Sequence, residues 1–519
     1  DWREMTYGEW ASKAEALAAG LQALGVEPGT NVVVSGRTTR EWLVVSWAVA
    51  FAGAALVPVH EGTPPDDFAA IVKVVKPRFV FLENPAMLEL FKPGLTELSG
   101  RIAVFEAQCV QTDPPPGRRP LLRLEDVVLD RDEVVSLEQL ESLGRSSKEA
   151  EGAGFEQGLE SPAMIIYTPG TQGEHRGVVL SNANLLFQGR TLAFLLPVTA
   201  DDTQLLFLPL SHILGVIAYL SAIASGTPLA LGGGLRSLLE DLQAVRPTYM
   251  VGVPRVYEKV IEKIHSLAND FSVSGRQVFR QGIEAATKAE ERKAAGQDVD
   301  LASRVFLDVA RRTVFPRCRE MFGGRMRFMV SGGAPLSTRV AYAISAFGIP
   351  VLEGFGLTET SGATHMNRLE SARIGTVGLP LPMVETKTAP DGEILIRGPG
   401  LMGGYLEECG GVRCALDEDG WFHTGDLGVV DESGRLTITG RKKNLLVTAT
   451  GKNVVPSRIE TVLQSSVPLI SHCVVFGDER SFLVALVTLS QAQVEAWASE
   501  EGIPTDDPEK LRTDIRVYR

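Results

Sequence analysis

Tyr167–Gly177 reads YTPGTQGEHRG. The apolar run AMIIY, residues 163–167, leads into it, and VVLS, residues 178–181, leads out. Apolar, β-branched runs favour strands, so the stretch reads as a turn between two of them. It holds three glycines, two threonines and one arginine. Glycine lets backbone N–H groups converge on one point, which makes a nest for an anion. Arg176 adds a fixed charge whose forked donors suit phosphate. The Walker pattern does not apply: the GK[ST] ending is missing, and a strand follows rather than a helix. Taken alone, the composition is also that of an ordinary hairpin turn, and motifs farther along the chain decide between the two.

Outward from this loop, strands alternate with helices. Upstream, Met5, Trp10, Ala14, Leu17 and Leu21 recur at helical spacing. NVVVSG from Asn31 reads as a buried strand, and further strands are expected near Ala55–Val59, Arg78–Leu82 and Arg101–Phe105. The loop DPPPGRR spans 113–119, and residues 137–158 read as polar and exposed. Downstream, Ser181 or Asn182 can cap a helix. Strands are expected at 205–210, 249–253 and 326–330, with a buried helix at VIAYLSAI, three glycines ending the stretch 229–234, and a solvated, charged helical pair over 274–317. The alternation implies a parallel α/β sheet. From about Arg373 short strands and turns replace it, which suggests a small β subdomain over about 373–440. RKKNLLVTATGKN then leads into a last unit with a helix at 456–463 and strands at 472–476 and 482–489. The expected domains are therefore 1–440, including the β subdomain, and 441–519.

The 519 residues exceed one typical domain. Hydrophobic residues at 44% and charged residues at 22% fit an ordinary globular protein. A formal net charge of −13 disfavours nucleic acid as a partner. It leaves room for peripheral contact with a membrane through a local patch. The five cysteines form no CxxC pair, which suits reduced thiols and a cytoplasmic location. Trp42–Val59 is almost wholly apolar, but Gly53 and Pro58 interrupt it. A buried helix running into a strand is expected there, not a membrane span of roughly 20 residues.

Six motifs follow one another in order: YTPGTQGEHRG, LPLSHILG from Leu208, SGGAPLS from Ser331, EGFGLTETSG from Glu353, GWFHTGDLG from Gly420 and GRKKNLLVTATGKN from Gly440. Set by set they resemble the adenylate-forming superfamily of acyl-CoA synthetases, peptide-synthetase adenylation domains and luciferases. The resemblance implies a large N-terminal α/β domain and a small, mobile α+β C-terminal domain. It also implies a reaction. A carboxylate attacks the α-phosphate of ATP to give acyl-adenylate and pyrophosphate, and a thiol, usually that of coenzyme A, then takes the acyl group.

Site residues carry over position by position. Thr168, Gly170, Thr171, Gly173 and Arg176 would form the phosphate loop. Glu359 would be the Mg2+ ligand and Thr358 the partner of the α-phosphate. Glu353, Gly354, Phe355 and Gly356, with Gly333, Ala334 and Pro335, would surround the nucleotide, the last three as a wall beside the adenine. Asp426 resembles the ribose ligand, and Arg441 would contact ribose or phosphate. Lys443 matches the hinge position about which the last domain rotates, and Gly451 the glycine lining the pantetheine channel. His212 would sit beside the substrate carboxylate, with Gly215 and Val216 in the acyl pocket. LPLSHILG carries no acid to meet an α-ammonium, which favours an apolar acyl chain over an amino acid. The charged segment 274–317 and LISHCVVFGDERSFLVALVTL from Leu469 resemble the long-chain fatty acid–CoA ligases.

The chain departs from the family pattern in three places. The usual loop is YTSGTTGxPKG, whereas here Pro169 replaces serine, Gln172 threonine, His175 proline and Arg176 lysine. Pro169 removes an N–H and a hydroxyl. Asn182 stands where histidine is frequent. No PxxxGK-type lysine is found before Arg519, so the last domain is expected to be truncated or its activity lost. Two alternatives accompany the CoA-ligase reading: an acyl-AMP ligase that loads a carrier protein, and a degenerate relative that only binds nucleotide or acyl chain.

Overall fold

The computed structural model describes residues 2–96, 98, 100–106, 134–147, 158–169, 175–467, 469–500 and 503. The expected loop at 113–119 and the tip of the phosphate loop, with Gly170, Thr171 and Gly173, lie outside the described residues.

Helix Tyr7–Ala23 begins at a capping box. The Glu9 N–H donates to Thr6 Oγ1 at 3.1 Å, and the Thr6 N–H donates to Glu9 Oε2 at 2.8 Å. Its spacing of Trp10, Ala14, Leu17 and Leu21 places all four in the core. The apolar run from Trp42 divides as expected into helix Arg40–Phe51 and strand Ala55–Val59, turning at Gly53 with φ +80°. No helix among the described residues is long and apolar enough to cross a membrane.

Two large sheets carry the fold. The first runs, in spatial order, Val412–Arg413, Gly404–Leu406, His175–Ser181, Pro162–Pro169, Ala55–Val59, Asn31–Ser35, Phe79–Leu82, Arg101–Val104 and Val134–Ser136. It is parallel from Pro162–Pro169 onward and antiparallel on the other side. The inner strands Ala55–Val59, Asn31–Ser35 and Phe79–Leu82 are covered on both faces and are almost continuously apolar. Val32 and Val34 pack into the main core, while Val33 packs with Phe68, Ile71 and Phe91. The second sheet is parallel across Val351–Leu357, Phe328–Ser331, Tyr249–Gly252, Gln204–Leu206 and Leu229–Leu231. A four-stranded antiparallel sheet, Glu385–Thr388, Glu393–Arg397, Phe422–Val430 and Leu436–Arg441, follows. Helix Pro456–Ser466, the hairpin Ile470–Phe476/Val484–Leu489 and helix Gln491–Glu500 make the small C-terminal part.

Three local expectations need correction. The stretch from 137 is exposed along most of its described length, but it is also a helix, Leu137–Ser146, packed on the first helix through Leu140 and Gly144. The contact is close because each helix brings a glycine to it: a Cβ on Gly144 would lie 1.8 Å from the Ala16 carbonyl oxygen, and one on Gly20 2.3 Å from the Leu140 carbonyl oxygen. The helical pair Val273–Ala294 and Leu301–Thr313 is solvated on one side only, since Phe279, Ala286 and Ala310 belong to the main core. Within the β region, Gly404–Leu406 and Val412–Arg413 extend the first large sheet rather than the four-stranded one.

Candidate active site

On the two antiparallel strands that flank the opening loop, Thr168 faces Arg176 in register. Thr168 is half-buried and lines a cavity of about 2480 Å3 between the two large sheets. Arg176 is exposed, and its guanidinium lies 5.6 Å from the centre of the Tyr405 ring. Tyr405 reaches that position because its strand pairs with the outgoing strand, Tyr405 opposite Val178. The Tyr405 hydroxyl donates to Glu359 Oε1 at 3.0 Å. Burial first, and then the Glu359 charge, push the Tyr405 pKa up. Arg176, Tyr405 and Glu359 thus form one row, of which Tyr405 and Glu359 line the cavity.

Glu359 sits on the 3-10 turn Thr358–Thr360 after strand Val351–Leu357. Thr360 fixes this turn: its Oγ1 accepts the Leu357 N–H at 2.9 Å and donates to the Gly362 carbonyl at 2.7 Å. Thr358, Glu359 and Gly356 all line the cavity. Gly356 leaves no room for a side chain, since a Cβ would sit 1.8 Å from the Gly362 carbonyl oxygen. Gly333 lines the same cavity, and Ala334 and Pro335 lie exposed beside it. Glu353 and Phe355 are directed elsewhere. Glu353 is buried and accepts the Gly375 N–H at 3.3 Å. Burial pushes its carboxyl up to about 7 against the pull of the Gly375 and Leu336 N–H groups. Phe355 packs against Ile394, Ile396 and Leu436, and Gly354 backs onto the His365 carbonyl.

Asp426 and Arg441 face each other on neighbouring strands, with Arg441 Nε 2.7 Å from Asp426 Oδ1. Asp426 is only 3% exposed, and its Oδ2 is buried without a partner. Burial raises its pKa; Arg441 and Lys443 oppose this, and Glu359 adds to it. Arg441 lines the cavity. Lys443 is exposed on the turn Lys442–Asn444. Gly451, at φ +77°, closes the small exposed hairpin Leu446–Val447/Asn453–Val454 and lies apart from the cavity wall.

His212 precedes helix Ile213–Ser225 and makes no side-chain cap bond, which leaves its ring to the cavity. Its ring centre lies 5.9 Å from that of His60. Desolvation, and then His60, hold the His212 pKa below its ordinary value. Gly215 lines the cavity where a Cβ would come 2.4 Å from the Pro209 carbonyl oxygen. Val216 is fully buried in the core instead. Beyond His212 the wall turns apolar, with Phe207, Ile213, Leu214, Leu229 and Val253.

A polar row at one end and an apolar wall at the other agree with the sequence families. The AMP-binding enzyme family matches residues 1–406, and the AMP-binding enzyme C-terminal domain matches residues 443–505. The chain belongs to the AMP-binding enzyme family. It is 34% identical to the long-chain-fatty-acid–CoA ligase FadD15 of Mycobacterium bovis over 96% of this chain and 79% of that protein. It is 31% identical to the peroxisomal long chain acyl-CoA synthetase 6 of Arabidopsis thaliana over 100% of this chain and 73% of that one. ATP-bound MatB from Rhodopseudomonas palustris superposes with a TM-score of 0.69 at 23% identity, over 95% of this chain and 86% of that one, a likeness of fold.

Two residues of this AMP-binding enzyme's cavity escaped the sequence reading. Tyr405 lies in no phosphate-loop motif, and only strand pairing brings it to Arg176 and Glu359. His60 had a readable signal. It follows strand Ala55–Val59 directly, and ligands of parallel sheets bind beyond the carboxyl ends of strands.

Proposed function

We propose that the chain activates a long-chain fatty acid with ATP and transfers the acyl group to coenzyme A. AMP-binding enzymes use ATP, and the named relatives are fatty acid–CoA ligases. The observation that carries the reading is the single cavity joining Thr168, Thr358, Glu359 and Arg441 to His212 and an apolar wall.

In this reading the fatty acid lies along the apolar wall with its carboxylate at His212. A neutral imidazole, favoured by the lowered pKa, donates one N–H and orients the carboxylate without cancelling the charge that makes it nucleophilic. A carboxylate oxygen attacks the α-phosphorus, the bond to the bridging oxygen breaks and pyrophosphate leaves. The Thr358 hydroxyl donates to the α-phosphate. The buried, unpartnered Asp426 Oδ2 accepts from a ribose hydroxyl, with Arg441 beside it. Gly333, Ala334 and Pro335 flank the adenine. Amides of Gly170, Thr171 and Gly173, with Thr168 and Arg176, hold the outer phosphates. Arginine suits this site because its guanidinium reaches over the Tyr405 ring, 5.6 Å from the ring centre, while keeping donors for phosphate. In the second half-reaction the CoA thiol attacks the adenylate carbonyl and AMP leaves. The C-terminal domain, 441–519, turns about Lys443 between the two steps, and Gly451 lines the pantetheine path.

Mg2+ fits the donor set. Among the described residues no three metal-binding side chains cluster, and Mg2+ commonly takes one or two carboxylates plus substrate phosphates and water. Glu359, steadied by Tyr405, supplies such a carboxylate at the cavity wall. When bound, the ion would screen phosphate charge. The free cysteines among the described residues support a reducing, cytoplasmic setting, which fractionation of the tagged protein would test.

The deciding experiment is ATP–pyrophosphate exchange with a fatty acid, followed by product analysis with CoA. Acyl-CoA and AMP are expected. Exchange without thioester, but with transfer to a holo carrier protein, would replace CoA as acceptor.

A further inference from the structure

Asp426 and Arg441 are held in place from behind. Glu393, on strand Glu393–Arg397, is 5% exposed and points its carboxylate at the chain neighbours of both residues. Its Oε1 accepts the N–H of Gly425, one residue before Asp426, at 2.9 Å. Its Oε2 accepts from Lys442 Nζ, one residue after Arg441, at 3.0 Å. The register between the two strands shifts here, and Gly425 adopts φ +71°, so the Gly425 N–H points to a side chain rather than along a regular ladder. His423 braces the same carboxylate, with Nδ1 3.3 Å from Glu393 Oε2 and Nε2 3.3 Å from Asp417 Oδ2. Lys442 is shared with Asp391 at 2.6 Å.

We propose that Glu393 is a positioning residue that sets the spacing and orientation of the Asp426–Arg441 pair towards the nucleotide. One carboxylate grips the two segments that carry the pair, so a shift of either segment is resisted by a bond to the other. Lys442 also directly precedes Lys443, which makes this grip the fixed end of the linker into the C-terminal domain. The partners are charged or fixed backbone, and bonds to an ionised carboxylate are the stronger kind. Glu393 itself touches no substrate. The inference rests on the reading that Asp426 and Arg441 hold the ribose.

The test compares Glu393→Gln, Lys442→Met, Asp426→Asn and the double variant Glu393→Gln/Asp426→Asn in the full chain. AMP binding is measured by calorimetry, and ATP–pyrophosphate exchange supplies KM for ATP and kcat. Glu393→Gln keeps an acceptor for Gly425 but loses the charge, so AMP Kd and KM for ATP should rise about tenfold with kcat changed much less. Lys442→Met should move both in the same direction. In the Asp426→Asn background Glu393→Gln should add little, because the group it positions is already gone. If Asp426→Asn weakens AMP but Glu393→Gln does not, the positioning role falls and the ribose reading stands. An unchanged Kd in Asp426→Asn would overturn the ribose reading and this inference together. Should Glu393→Gln fail to fold, Lys442→Met, at an exposed residue, decides: an unchanged Kd there refutes the role.

Discussion

Replacing Tyr405 with phenylalanine removes one oxygen and nothing else from the row that joins Arg176 to Glu359. That hydroxyl donates to Glu359 Oε1 at 3.0 Å and is half-buried. A hydrogen bond to an ionised group contributes about 1.5–3 kcal/mol. Water reaches a half-buried carboxylate and replaces part of the bond, so the loss lies near the lower bound, ~1.5 kcal/mol, or about tenfold in kcat/KM. Phenylalanine keeps the ring beside Arg176 and the pairing with Val178, so stability should fall by no more than the lost hydrogen bond, ~1.5 kcal/mol. Initial rates of ATP–pyrophosphate exchange at saturating fatty acid measure the first quantity, and urea unfolding the second. In a Glu359→Gln background the same change should cost less, because the bond lost is then neutral. A folded Tyr405→Phe protein with unchanged kcat/KM would refute the claim that Tyr405 steadies Glu359.

Arg441→Ala leaves the buried Asp426 carboxylate without its 2.7 Å partner, so KM for ATP should rise and stability fall; because Arg441 is nearly half exposed, the stability loss is set at ~1 kcal/mol, read by urea unfolding. Glu353 rises from 4.5 to about 7 on folding, so the folded state binds the extra proton and stability should fall as pH climbs from about 4.5 past 7. The full span is at most ~3 kcal/mol, and Glu353→Gln should flatten it in a pH series of unfolding curves. Gly144→Ala drives a Cβ to within 1.8 Å of the Ala16 carbonyl oxygen, so the two helices must separate at a cost of ~1–3 kcal/mol, seen as a lower melting temperature.

Most of the α/β pattern was legible because it rests on local rules. The Trp42 run split at Gly53 as its composition indicated, and the valines of Asn31–Ser35 are apolar on both faces because both faces are covered. The helix at Leu137 was missed because its packing depends on Gly20 and Gly144 meeting across the contact, a pairing that hydrophobic spacing does not encode. Of the site, the motif residues Thr168, His212, Gly333, Thr358, Glu359 and Arg441 come together at one cavity. Glu353 and Phe355 share a motif with Glu359, but strand alternation and a bulge between Phe355 and Gly356 turn them to other surroundings. Tyr405 and Glu393 act through strand pairing and a register shift, which no single motif displays.

The central claim, that one cavity joins a nucleotide to a fatty acyl chain, is tested most directly by ATP–pyrophosphate exchange across straight-chain acids from short to long. Exchange should require the acid, strengthen with long apolar chains, and fall away in Asp426→Asn and Glu359→Gln. Nucleotide binding by the full-length protein without exchange for any acid in the series would contradict the claim.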